Sequence, residues 1–113
     1  MEVPGGKDNK GFVCLYEAFG AALLIFAVNG TATNAFPPIG IGLALFAGIN
    51  MFGDVSGAHF NPAVSLAVFI KEGTDKMGDN IGFMIMLWMS QILGCVFGVL
   101  LVAGTQTKME FDG

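Results

Sequence analysis

Residues 56–71, SGAHFNPAVSLAVFIK, decide how the rest of the chain is read. The nine residues 62–70 carry no charge, and Lys71-Glu72-Gly73 then ends the run. A helix of that length rises about 13 Å at 1.5 Å per residue, less than half of a bilayer core of about 30 Å. The stretch therefore reads as a membrane helix that stops half way. Asn61 suits the N-cap and Pro62 the first helical position. One end meets the charged loop at Lys71, so the other end lies deep in the bilayer. That inner end carries unsatisfied backbone N–H groups and the positive pole of the helix dipole. Residues 56–60 before it are irregular backbone, which membrane depth tolerates only against protein or a water-filled cavity. The carbonyls of Gly57, Ala58 and His59 can accept hydrogen bonds from a file of solutes, and the Asn61 carboxamide can donate one at the midplane. The positive helix end would repel protons and cations. Together these features describe a pore lining.

The flanking sequence supplies the membrane. Of 113 residues, 54% are hydrophobic, 12% are charged and none is arginine. The mean hydropathy is +0.70, whereas soluble domains carry about 25% charged residues. Seventeen glycines suit packed membrane helices, where small residues let backbones approach. Three apolar segments are long enough to cross: about 11–32, about 38–53 and about 81–103, with the re-entrant loop and half helix at 56–70 between the last two. A polar tail (1–10) precedes them and another (105–113) follows. The short break NAFPP (34–38) joins the first two segments, and the loop 71–80 is aqueous. Gly40, Ala44 and Gly48 share one helix face, and Gly94 and Gly98 form a GxxxG pair. The fold class expected is an all-α membrane protein with three transmembrane helices and one re-entrant half helix.

With the N-terminus cytoplasmic, Lys7, Lys10, Lys71 and Lys76 lie inside and only Lys108 outside, which obeys the positive-inside rule. The net charge of −4 sits in flanks and loops and points to no nucleic-acid partner. Cys14 and Cys95 have neither metal nor disulfide-framework spacing and read as buried membrane thiols. No metal, cofactor or catalytic set is expected, and no enzyme.

SGAHFNPAV closely resembles the first-repeat motif of the aquaporin and aquaglyceroporin (major intrinsic protein) family. Glu17, Gln91 and the run QILGCVFG resemble that family at matching places, so the resemblance covers nearly the whole chain. It implies that Asn61, Pro62 and Ala63 form the pore motif. It also implies that Glu17, His59 and Gln91 brace the re-entrant loop, and that Ile41, twenty residues before Asn61, sits at the second-helix position of the outer constriction. Ile41 departs from the aromatic the family often has there. Family members carry two inverted repeats, and this sequence holds one. Val64 stands three residues after Asn61, where a second repeat would carry a filter arginine.

The expected function is a module for passive transport of water or small neutral, glycerol-like solutes. It would sit multi-pass in a plasma or intracellular membrane, with the pore completed by a second repeat or by homo-oligomerisation. The alternatives are a truncated, non-conducting fragment or a small holin-like perforating protein. Some residues keep simpler readings. Glu17 could be a shallow snorkelling acid and Asn61 only a cap. Asp54 could be either a mouth residue or a helix-end acid. Trp88 with Met84, Met86 and Met89 reads as packing or lipid contact. The sequon Asn29-Gly30-Thr31 falls at the membrane end of the first segment, where modification is not expected.

Overall fold

A computed structural model describes residues 9–32 and 35–112, with side chains described through Thr107. Residues 1–8 of the expected N-terminal tail, including Lys7, lie outside the described residues, as do positions 33 and 34 of the first connection and the Lys108 side chain. The elements in chain order are α1 (Lys10–Thr31), α2 (Pro37–Ser56), the short helix α3 (Pro62–Lys71), a 3-10 turn (Thr74–Lys76) and α4 (Met77–Asp112). The first span, the second span and the stretch Thr74–Thr107 are each long and apolar enough to cross a bilayer, with mean hydropathies of 2.0, 1.5 and 2.2. The fold is an all-α membrane architecture with one shorter apolar helix.

Two boundaries differ from the sequence reading. α2 runs through Ser56 rather than stopping near Gly53. Gly57 then ends it in the left-handed region (φ 83°), its N–H donating to the Gly53 carbonyl at 2.9 Å; glycine adopts this conformation at no steric cost. α4 starts at Met77 and continues to Asp112, beyond the expected 81–103 on both sides. Asp79 in its first turn complements the positive helix end. Within the expected polar tail, Thr105 and Thr107 donate their hydroxyls to the Val102 and Ala103 carbonyls at 2.8 and 2.9 Å. That satisfies polar side chains without leaving the helix.

Lipid supplies little hydrophobic drive between helices, so close backbone packing must hold the bundle. α1 and α4 run parallel, with Ala18 against Gly94 and Ala22 against Gly98. A Cβ added at Gly94 would overlap the Ala18 backbone, and one at Gly98 would lie 2.6 Å from the Ala22 carbonyl oxygen. α2 runs back along α1. Near its start Gly40 faces Thr31, and near its end Phe52 lies 5.5 Å from Tyr16, ring centre to ring centre. A small cluster of Val13, Phe83 and Leu87, with Cys14 against it, closes the α1–α4 base. There Lys10 sits 5.4 Å over the Phe83 ring. Cys14 and Cys95 are half-buried rather than buried, and both are free thiols.

Candidate functional site

The short helix begins where its local chemistry places it. Asn61 is extended (φ −152°, ψ 127°), and its Oδ1 accepts from the Ala63 N–H at 2.8 Å. Pro62 occupies the first turn, and Lys71 lies in the last turn near the negative helix end. Because Oδ1 is committed to the cap, the amide nitrogen of Asn61 is the group left to face outward, and Asn61 is exposed. Ten residues rise about 15 Å, half a bilayer core.

Contacts with α4 fix where that start lies along α4. Trp88 Nε1 donates to the Pro62 carbonyl at 3.0 Å, and Gln91 Nε2 donates to Ser65 Oγ at 2.9 Å. The uncharged run 81–103 has its middle at Ile92. Trp88 and Gln91 lie within four residues of that middle, about 6 Å along the helix. At the other end of α3, Asn80 Nδ2 donates to Glu72 Oε2 at 2.9 Å, near the start of α4. Trp88, read from sequence as packing or lipid contact, is thus a half-buried donor to the start of α3. An indole ring brings one N–H along with its apolar surface, and here that N–H takes up a helix-start carbonyl.

The loop between α2 and α3 is held by one buried acid. Glu17 is fully buried (0% exposed). Its Oε1 accepts from the His59 N–H at 3.0 Å; its Oε2 accepts from the Phe60 N–H at 2.6 Å and from Gln91 Nε2 at 3.0 Å. The shallow, snorkelling placement of Glu17 does not occur. A peptide's C=O points opposite to its N–H, so the Ala58 and His59 carbonyls are turned away from Glu17. The Ala58 N–H is held by Ser56 Oγ at 3.1 Å, which turns the Gly57 carbonyl outward in the same way. Among the described residues no hydrogen bond reaches these three carbonyls. Ala58 and Phe60 adopt φ of 53° and 54°, a left-handed geometry costing roughly 1–2 kcal/mol per non-glycine residue. Such strain persists only where the surroundings over-determine it. Here the Glu17 and Ser56 bonds do so, together with the Phe60 ring, which is wedged between Gly20 of α1 and Gly48 of α2 and edge-on to Phe52 at 6.1 Å.

The structure brings Glu17, His59 and Gln91 into one network, with Gly57 and Ala58 beside it. Asn61, Ala63 and Val64 are exposed at the α3 start, and Pro62 is half-buried there. Ile41 is not part of this group. It lies fifteen residues before Ser56 on α2, about 22 Å away along the helix. Two participants were not singled out from sequence, Ser65 and Phe60, and Trp88 was given no polar role. Ser65 left a signal, as the one polar residue in 62–70; it is fully buried, with His59 Nδ1 3.0 Å from its hydroxyl oxygen.

Comparisons with known proteins point to one family. Over 105 residues the chain is 39% identical to Aquaporin-8 of Notomys alexis, covering 87% of this chain and 38% of that protein. It is 37% identical over 91 residues to Aquaporin Z of Brucella melitensis, covering 71% of the chain and 38% of the relative. It is 36% identical over 89 residues to Glycerol uptake facilitator protein-like 6 of Lactiplantibacillus plantarum, covering 73% and 38%. The chain therefore spans about 38% of the length of these relatives. No solved structure gave a significant match. The family profile described as Major intrinsic protein matches residues 11–112, and with relatives of this kind along a loop and half helix of this geometry, the chain belongs to the major intrinsic protein family.

Proposed function

We propose that the chain is one repeat of a passive membrane channel for water or small neutral solutes. A second repeat, or a second chain, would close the path. One observation carries the proposal: a buried carboxylate and the Ser56 hydroxyl take the loop's N–H groups and turn three consecutive carbonyls the other way, beside an outward carboxamide at the start of a half-length helix. A solute passing this surface donates to the carbonyls of Gly57, Ala58 and His59 and accepts from Asn61, so transfer needs no chemistry. The positive pole of α3 disfavours cations at the same point. Pro62, Ala63 and Val64 set the wall there, and Ile41 sets the width farther out. Glu17 and Gln91 brace the loop. The relatives named for water and for glycerol support both solutes equally. The lysines favour a cytoplasmic N-terminus, which makes an inverted second copy of the same chain a less suitable partner than a second repeat of opposite charge bias.

The test is stopped-flow swelling of proteoliposomes, with Asn61→Asp as the comparison. Aspartate still caps the helix, so the fold is kept while the donor becomes an anion. The expected outcome is solute permeability without ion current in the wild type, and reduced selectivity against cations in the variant. Ion leakage through the wild type would favour a perforating protein, and no permeability under any pairing would favour a non-conducting fragment.

A further inference from the structure

Ser65 is buried against His59 and Gln91, and Gln91 in turn meets Glu17; these hydrogen bonds close in one direction. Both oxygens of Glu17 already accept a backbone N–H, so the atom Gln91 presents to Glu17 is its amide nitrogen. That NH2 has two hydrogens; one goes to Glu17 and the other to Ser65 Oγ. Among the described residues Gln91 Oε1 is buried without a partner. Ser65 Oγ therefore acts as an acceptor toward Gln91, and its own proton needs an acceptor in a fully buried place. The acceptor within reach is His59 Nδ1, 3.0 Å away.

From this network we infer that Ser65 is a positioning residue. It fixes the His59 imidazole as the neutral tautomer protonated on Nε2, so that the ring offers an N–H donor to the solute path. The ring is half-buried, with Nε2 on the side of exposed Gly57. The inference rests on the channel reading proposed above and narrows its solute class. A solute meets two donors, His59 Nε2–H and the Asn61 amide, beside a row of acceptor carbonyls. It must therefore both donate and accept, as water and polyols do. In the opposite tautomer His59 and Gln91 would both donate to Ser65 Oγ, and the serine proton would lose that acceptor.

His59 is the single histidine of the chain, so 15N-histidine labelling gives one pair of ring signals in proteoliposomes. The expected spectrum has a protonated Nε2 and a bare, hydrogen-bonded Nδ1. A protonated Nδ1, or a mixture of tautomers, overturns the inference from the wild-type protein alone. In Ser65→Ala the Nδ1 signal should move to its unbonded position, and in Ser65→Thr it should stay. An unmoved signal in Ser65→Ala removes Ser65 from the role. Swelling rates are read on the same samples. A wild type that does not conduct defeats the channel reading while the tautomer is still measured, so the two failures are distinguishable.

Discussion

Replacing Glu17 with alanine removes the acceptor for two backbone donors at once. The His59 and Phe60 N–H groups both lose their partner, at 3.0 and 2.6 Å in the intact protein. An orphaned buried donor costs about 1–3 kcal/mol. Phe60 is 3% exposed and takes the upper part of that range. His59 is half-buried and reaches water more readily, so it takes the lower part. The sum is about 3–4 kcal/mol, and relaxation of the left-handed Ala58 and Phe60 adds to the drive for the loop to leave its native shape. At 1.4 kcal/mol per factor of ten, exchange of these two amides with solvent should accelerate by about 100- to 1000-fold. Amide hydrogen exchange in lipid nanodiscs, read residue by residue, is the assay. Gln91 Nε2 also loses its bond to Glu17 but keeps Ser65 Oγ, and amides in the middle of α4 should keep their protection, because the Gly94 and Gly98 contacts with α1 do not involve the carboxylate. Unchanged exchange at 59 and 60 would refute the claim that Glu17 holds the loop. Equal acceleration along α4 would refute its being a local anchor.

Three other outcomes follow from the same contacts. Gly94→Ala pushes a methyl into the Ala18 backbone and should cost about 1–3 kcal/mol in a denaturing-detergent titration, whereas Gly42→Ala, where a Cβ meets nothing within 4 Å, should be neutral or slightly stabilising. Gly20→Ala drives into the Phe60 ring and should disturb the loop, seen as faster exchange at the Phe60 amide, with Phe60→Leu in the same chain recovering part of the protection. Trp88→Phe deletes the donor to the Pro62 carbonyl; it should cost about 1 kcal/mol and loosen the first turn of α3, leaving α1 unaffected.

Much of this arrangement is written in local sequence. The uncharged runs match the helices in length, three long and one short, and Asn61-Pro62 carries its own start signal. Gly94 and Gly98, four apart, mark the seam that α1 occupies. The places where sequence is silent are those where the fold chooses among equivalents. Trp88 is one aromatic in an apolar helix, and only the position of α3 makes its N–H useful. Phe60 and its two glycines come from three separate segments, so no spacing joins them. Ser65 stands alone as a polar residue in an apolar run, a signal that gains meaning only with Gln91 and His59 beside it. Helix ends were hidden for another reason. Thr105 and Thr107 look like a polar tail, but their hydroxyls bond within the helix and let α4 continue.

The account depends most on the depth at which α3 begins. Trp88 is the one tryptophan of the chain and is bonded to the first carbonyl of that helix, so its fluorescence reports the depth without any substitution. Quenching by lipids brominated at successive acyl positions should peak within about 6 Å of the bilayer centre, the distance from Trp88 to the middle of the apolar run at helical rise. A peak at the headgroups would place the start of α3 at the membrane surface and contradict the account.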